Sequence, residues 1–583
     1  MNKLSLAFIL IVSTALAEAP HKSKLSRELS SGSQQGDVKV IVQWKVVPTA
    51  EHDEKVMRRG GTVNHHLELI KAGSYSIPAA ALGDLASDPD VAYISLDRQI
   101  KGSLDYSAAA VNAKAAWLAG YLGTGIGVAV LDSGMVQSPD LTVNNNIVYN
   151  ADFTGEIKQN ANVGDPHNAP DLYGHGQHVA GIIASSGKSS ICGKCTRALV
   201  GIAPGANLIN MRVLDENGNG TDSGVIAAIE KAISLKSKYN IRVMNLSLGR
   251  PVYESYTLDP LCQAVEQAWQ AGIVVVVAAG NDGRDNSFGT NGYGTITAPG
   301  NDPFVITVGA MKAMGTYPRA DDLIASYSSK GPTLIDEVVK PDVVAPGNLV
   351  VSLLAAKNAT LISQNPANIP AVNYYQNVPG PATGPAALKP SPAYFTLNGT
   401  SMATPVVSGA VADLLQAHPT LTPDQVKARL MKTAYKTFPA SSTASDPLSG
   451  QSYLSYYDIF TVGAGYLDIA AALADTSVAG GTAQSPFVTE NSDGTVTFVA
   501  PNGAVWSTQG VWGTQGVWGT RGVWGTQGVW GTQVVAATRG VWGTTVTLDD
   551  SLASALRGVW GTQGVWGTST ETSSQSIQVT GEN

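Results

Sequence analysis

The stretch Ile273-Val274-Val275-Val276-Val277-Ala278-Ala279 is apolar at every position, with no alternation between the two faces of a strand. A strand written this way has both faces covered, as in a parallel sheet buried between helices. Outward from it, the clearest further runs are Val128–Leu131, Asn207–Val213, Val243–Leu246 and Phe304–Val308. Between them the periodicity predicts helices over His178–Ser186, Gly224–Lys238, Leu261–Ala271, Met402–Ala417 and Thr422–Thr433. Thr422 and Pro423 supply a cap and a first-turn proline for the last of these. The fold class is therefore α/β, with a mostly parallel sheet flanked by helices on both faces. In such sheets ligands bind beyond the carboxyl ends of the strands, so the residues that follow each run are the ones to search for chemistry.

Upstream, residues 37–97 read as a small α/β unit. The pattern predicts a strand over Val38–Trp44, a polar helix from Ala50, a helix over Ala79–Ala86 led in by Ser74–Pro78, and a strand over Val91–Ile94. The small, polar segment Lys101–Ser107 reads as a linker that can be cut. At the start, a basic Met1–Lys3, an apolar Leu4–Ala17 and the small residues of Ala15-Leu16-Ala17 make a cleavable secretory signal. Its apolar run is shorter than the roughly 20 residues needed to cross a bilayer, so no membrane anchor is expected.

Composition bounds the rest. At about 150 residues per unit, 583 residues allow about four units. A hydrophobic share of 44% can build a large core, while charged residues are only 14% against a usual share of about 25%, which excludes charge-driven disorder. The formal charge of -8, without a basic cluster, gives no footprint for nucleic acid. Cys192-Gly193-Lys194-Cys195 admits a redox pair, a metal site or a small-loop disulfide. An exported chain favours the local disulfide, with Cys262 as a buried free thiol. A zinc site would need a second ligand pair, and none is nearby in sequence.

Three segments carry chemistry. Val128-Ala129-Val130-Leu131-Asp132-Ser133-Gly134 is a strand ending in a carboxylate and a turn. Gly174-His175-Gly176-Gln177-His178-Val179-Ala180-Gly181 opens a small-residue helix with a glycine-flanked histidine, and His178 reads as a packed helix residue. In Asn398-Gly399-Thr400-Ser401-Met402-Ala403-Thr404-Pro405, Ser401 falls at a helix N-terminus, where free N–H groups favour developing negative charge. Pro405 is expected in the first turn, where its missing N–H costs nothing. Singly these are a strand end, a turn and a cap. Together they supply a hydroxyl nucleophile, a base and a carboxylate that fixes the base's tautomer, in the chain order Asp, His, Ser.

With these segments the chain resembles the subtilisin-like serine peptidases, the subtilase family, from about residue 105 to 475. The resemblance implies a catalytic Asp132, His175 and Ser401, with Asn281 of Ala278-Ala279-Gly280-Asn281-Asp282-Gly283 and the Ser401 N–H stabilising an oxyanion. It implies that Ser247, Leu248 and Gly249 pair with an extended substrate, and that Leu248, Ala278, Ala279 and Gly280 wall an apolar primary pocket. Arg250 stands where the family often has a second glycine. Ser328–Pro332 and Lys340–Gly347 match family segments that read as scaffold. Relatives acting in acid through a Glu and an Asp are disfavoured by the full His175 motif. No cofactor follows, and no metal site is assigned. Where many relatives bind calcium this chain has the cysteine pair, and Asp140 alone resembles a ligand for a cation that takes six to eight oxygens. The long Ser352–Phe395 connection reads as a surface excursion near the cleft.

The resemblance also divides the chain: a signal peptide at 1–17, a propeptide acting as folding aid and intramolecular inhibitor at 18–103, a catalytic domain at 104–475, and a linker with a repeat tail at 476–583. In the tail the hexapeptide Gly-Val-Trp-Gly-Thr-Gln recurs, and the separations from Trp506 to Trp566 are 6, 6, 6, 6, 12, 18 and 6. Ala536, Leu548 and Ser554 fill the slots that lack Trp, so phase is kept across the interruptions. A short β-solenoid with stacked aromatics, a Trp array for a surface or polysaccharide, and disorder all remain open. The expectation is a secreted, self-processing serine endopeptidase that acts on protein or peptide substrates. The alternative is a surface-binding or adhesin protein whose tail is the working part.

Overall fold

A computed structural model of the chain describes residues 24–26, 29, 36–67, 71–96, 102–103, 106–160, 162–287, 289–378, 388–446, 450–490, 496–499, 501, 545–546 and 582. The signal segment, three residues of the linker (101, 104 and 105) and nearly all of the Trp repeat lie outside these residues. The chain divides into two units, 1–100 and 101–583.

In the first unit, β1 (Asp37–Trp44) alternates as its sequence requires, with Val38, Val40, Val42 and Trp44 buried. Then come α1 (Ala50–Met57), β2 (Thr62–Leu67), β3 (Ala72–Pro78), α2 (Leu82–Ser87) and β4 (Val91–Leu96). The sheet order is β2-β3-β1-β4, antiparallel throughout. The sequence reading missed the hairpin β2–β3. Ser74–Pro78 belongs to a strand between two neighbours, with Tyr75 and Ile77 in the core, and the helix starts only at Leu82 after a short 3-10 turn. Tyr75 holds its place through polar contacts, its hydroxyl donating to Asp53 at 3.0 Å and accepting from Trp44 Nε1 at 3.3 Å.

The second unit contains β5 (Gly127–Asp132), β6 (Ile147–Asp152), α3 (Gly176–Ala184), β7 (Asn207–Arg212), α4 (Asp222–Tyr239), β8 (Ile241–Leu246), α5 (Pro260–Gln270), β9 (Val274–Ala278), β10 (Ile306–Lys312), β11 (Leu323–Ile324), β12 (Val343–Pro346), β13 (Val350–Leu353), β14 (Tyr394–Leu397), α6 (Thr400–Ala417) and α7 (Pro423–Thr433). Eight strands form one sheet in the order β11-β10-β9-β8-β5-β7-β6, with β12 beside β10. Every pair is parallel except β10 with β11. Helices α4 and α5 pack together along β5, β8 and β9, while α3 and α6 pack together in a second layer. Strand β5 comes first in the chain and lies between β7 and β8, so the strand order reverses direction there. That reversal opens a crevice at the carboxyl end of β5, where Asp132 stands.

Two expectations shift. The run at Phe304 enters the ladder only at Ile306 and continues to Lys312. Strand β6 escaped notice because Asn150 and Asp152 break its apolar pattern. Both are buried and bonded, Asn150 Oδ1 to Asn210 Nδ2 at 2.8 Å and Asp152 to Arg212. The Ser352–Phe395 connection is also more than a surface excursion. It leaves and returns through the antiparallel pair β13–β14, buries Tyr375, Tyr394 and Phe395, and bonds Thr360 and Leu361 to the carbonyls of Leu172 and Tyr173, just ahead of His175.

Cys192 and Cys195 form a disulfide, and Cys262 is a buried free thiol in α5. Asp140 is buried among donors: Ser185 Oγ at 3.1 Å, the Ser189 N–H at 3.1 Å, Ser189 Oγ and the Tyr394 hydroxyl at 3.4 Å. Such a set satisfies a carboxylate and does not fit a calcium ion, which requires converging acceptors.

Arg212 is fully buried with Nη1 2.8 Å from Asp152 and Nη2 2.5 Å from Glu156. Removing one member of a buried pair strands the other charge, at a cost of about 3–5 kcal/mol. Arg212→Met is expected to lower stability by that amount in guanidinium unfolding, and Asp152→Asn combined with it is expected to recover part of the loss.

Candidate active site

Strand β5 carries Asp132 to the crevice, and the next two residues turn the chain away. Gly134 has φ +113, and a side chain on Gly176 would stand 2.3 Å from the Gly134 carbonyl oxygen. Only glycines allow this approach between the strand end and the start of α3. It brings His175 Nδ1 to 2.7 Å from Asp132 Oδ1, which also accepts the Ser133 N–H at 2.7 Å. Both side chains are buried. Burial alone pushes the imidazole pKa down, yet the Asp132 charge, its hydrogen bond and the Asp171 charge together hold it above 6.5.

Asp171 was not singled out from the sequence, and it joins the two segments. Its Oδ1 accepts Ser133 Oγ at 2.8 Å, the Gly174 N–H at 2.6 Å and the Tyr173 N–H at 3.2 Å, while Oδ2 accepts the Gln177 N–H at 2.8 Å. Ser133 Oγ in turn accepts the Gly176 N–H at 2.8 Å. Burial lifts the Asp171 carboxyl to about 6 against the pull of those donors. The available signal was an Asp four residues before the histidine in Asp171-Leu172-Tyr173-Gly174, a turn-forming and capping pattern.

Ser401 stands in the first turn of α6, a helix whose residues from Thr400 to Leu415 are all buried. Gly399, at φ +137, delivers the chain into it. Ser401 Oγ donates to the Ser247 carbonyl at 3.2 Å, and Ser247 Oγ donates to the Ser401 carbonyl at 2.8 Å. The second bond follows from Pro405, which lies inside the helix and not in the first turn as expected. Without an N–H, Pro405 cannot serve the Ser401 carbonyl four residues back, and Ser247 takes over. Asn245 completes the link, its Nδ2 3.0 Å from Ser247 Oγ and its Oδ1 accepting Ser408 Oγ at 2.8 Å.

Asn281 follows β9. Its Oδ1 accepts the Thr400 N–H at 2.9 Å and lies 3.1 Å from Thr400 Oγ1, which fixes the amide plane and leaves Nδ2 as the outward donor. His175, Ser247, Leu248, Gly249, Ala278, Gly280, Asn281 and Ser401 share one cavity of about 500 Å³ with Val225 and Leu261. Ala279 is not on its wall. It is fully buried, its N–H donating to Val308 and its carbonyl accepting from Thr297. His178 lies outside too, with Nε2 3.0 and 3.1 Å from the Val350 and Phe395 carbonyls and its pKa pushed down by burial to about 3. Arg250, at the cavity edge, is clamped by Asp222 at 3.0 Å and by buried Asp259 at 2.9 Å.

A hydroxyl at a helix N-terminus, an imidazole oriented by a carboxylate and a fixed amide donor in one cavity suit acyl transfer from a carbonyl substrate. Comparisons with known proteins agree. The subtilase family model matches residues 123–457. The serine protease AprX of Bacillus subtilis is 36% identical over 370 residues, 61% of this chain and 73% of that protein. Subtilisin E of the same organism is 31% identical over 435 residues, 74% of this chain and 91% of that protein. The alkaline protease of Alkalihalobacillus alcalophilus is 30% identical over 434 residues, 74% of this chain and 90% of that protein. The chain therefore belongs to the subtilase family and is a serine endopeptidase of the subtilisin type.

Proposed function

We propose that the chain is a secreted, self-processing endopeptidase in which Asp132, His175 and Ser401 form the catalytic triad. The observation that carries this reading is the 2.7 Å bond from His175 to Asp132 in the crevice that also holds Ser401. In the reaction His175 takes the Ser401 proton as the hydroxyl attacks the scissile carbonyl, and Asp132 holds the tautomer and stabilises the imidazolium. Asn281 Nδ2 and the Ser401 N–H meet the developing oxyanion, a contribution worth roughly 10²–10³ in rate for such a donor. His175 then protonates the leaving amine, and water releases the acyl group by the same route. In the resting site Ser401 Oγ bonds to Ser247 and must turn to His175, a tightening expected on substrate binding.

Substrate backbone is read by strand addition at Ser247–Gly249, and the side chain before the cut enters the pocket among Leu248, Ala278, Gly280, Val225 and Leu261. These walls favour apolar side chains. Arg250 is neutralised by Asp222 and Asp259, so it closes the rim without attracting acidic side chains. The basic, apolar and small-residue order of Met1–Ala17 supports export. The separate first unit, with its own sheet and core, supports a propeptide at 18–103 that is cleaved near residue 103.

Three outcomes test the reading. Ser401→Ala is expected to leave the precursor uncut near residue 103 and to lower peptide hydrolysis by about six orders of magnitude. Processing at the wild-type rate would sink self-cleavage. For pH, the base must be neutral to act, so kcat/KM is expected to rise with pH through an apparent pKa above 6.5 and to fall on the acid side. A limb centred below 6.5 would contradict the Asp132 partnership. Asp171 acts through the groups it positions, so Asp171→Ala is expected to lower kcat by roughly 10–100-fold with little change in KM. An equal loss through KM would place it in substrate binding instead.

A further inference from the structure

Glu582 is buried in the second unit, 5% exposed, and six groups hold it. Its carboxylate meets Arg284 Nη2 at 2.5 Å, Lys312 Nζ at 3.4 Å, the Ser326 N–H at 3.0 Å and Ser326 Oγ. Asn348 reads its backbone, Nδ2 donating to the Glu582 carbonyl at 2.7 Å and Oδ1 accepting the Glu582 N–H at 2.9 Å. A carboxylate taken out of water needs such partners, since charge-assisted bonds are what repay its desolvation. The set is selective as well. Two cations and two hydrogen-bond donors suit an acidic side chain, and the paired donor and acceptor of Asn348 suit a stretch of peptide backbone.

Arg284 and Asn348 come from loops that also carry the active site, Ser326 from a turn that braces the first of these loops, and Lys312 from the end of β10. Arg284 is three residues beyond Asn281, and that loop is pinned to the Ser326 turn by Gly283 N–H to the Tyr327 carbonyl at 2.8 Å, Asp282 N–H to Ser329 Oγ at 3.1 Å and Ser329 N–H to the Gly280 carbonyl at 3.0 Å. Asn348 follows Gly347, whose carbonyl accepts the Gly399 N–H at 2.9 Å and the Tyr327 hydroxyl at 3.0 Å. Asn398 Oδ1 accepts the Leu349 N–H at 2.5 Å. One glutamate therefore bonds at once to the Asn281 loop, to the turn that braces it and to the loop that feeds Ser401.

We propose that Arg284, Lys312, Ser326 and Asn348 form a carboxylate-binding latch whose occupant is Glu582 of the same chain. Its occupation holds the Gly280–Arg284 and Gly347–Leu349 loops in the arrangement that the oxyanion side of the site requires. The proposal rests on the assignment of Asn281 and Ser401 above.

The test uses the full chain. In a Ser401→Ala background, which removes self-digestion, amide hydrogen exchange is read at Ser326, whose N–H donates to Glu582. Glu582→Ala is expected to speed that exchange at least tenfold and Glu582→Gln to do so by less. In the active chain, Glu582→Ala is expected to lower kcat on a fixed peptide roughly tenfold with KM unchanged. Arg284→Met is expected to give a similar loss, and the double variant to be no worse than either. Unchanged Ser326 exchange in Glu582→Ala overturns the latch, and so does an unchanged kcat. Asn281→Ala run beside them separates the two readings. If it retains wild-type kcat the site assignment fails, whereas the exchange measurement reports latch occupancy without any activity.

Discussion

Helix α6 has no solvent face from Thr400 to Leu415, and this burial dictates where chemistry can occur. A helix covered on all sides must begin inside the protein, and its first turn then opens onto whatever crevice the sheet leaves beside it. Here that crevice lies where β5 separates β7 from β8, and the end of β5 supplies the carboxylate. The positive end of the helix, the strand-end aspartate and the histidine at the start of α3 are thereby brought together by the layer geometry, before any substrate contact is considered. The low charge of the chain acquires a physical meaning in this light: strands β5, β9 and β10 and helices α3 and α6 bury nearly everything they carry.

Burial of that extent leaves polar groups to be satisfied one by one. The break in α6 at Pro405 frees the Ser401 carbonyl, and Ser247 answers it from the end of β8. Asn245 and Ser408 extend the tie deeper into the same layer. Thr400 fixes the Asn281 amide. Asp171 gathers the amides of the His175 loop and the hydroxyl next to Asp132. Asn245 and Ser408 hold Ser247, Thr400 holds Asn281 and Asp171 holds the loop of His175, so each orients a group of the candidate site. Their shared feature is short polar side chains spent on one another or on nearby backbone, which is how a site is stiffened without adding bulk.

The sequence was most legible where apolar runs were unbroken. Strands β5, β8 and β9 and helices α4 to α7 lie within a few residues of their expected bounds, because the strands and α6 are buried almost throughout and α4, α5 and α7 each keep a regular buried face. Strand β6 was hidden by Asn150 and Asp152, whose partners Asn210 and Arg212 are some 60 residues away in the chain and invisible to any local pattern. Hairpin β2–β3 was obscured in the same way, since Ser74 and Ser76 alternate with core residues but resemble a turn. At the site, Asp132, His175, Ser401 and Asn281 announced themselves through motif context, whereas Asp171, Thr400 and Asn245 act only through neighbours brought close by folding. Ala279 was placed on the pocket wall by adjacency to Ala278 and Gly280, and the alternation of an extended backbone turns it away.

A peptidase meets copies of itself throughout its life, so the ease with which each of its segments can be seized matters. A cut requires several residues in extended form, and their availability follows the local free energy of opening. Helix α6 touches β8, β9, β10 and α3, so exposing it means dismantling the sheet. The segment from Tyr253 to Leu258, with both of these side chains 67% exposed, opens at far lower cost. The architecture thus imposes an order of wear, in which peripheral loops are nicked first and the helix that carries Ser401 is the last part to be lost.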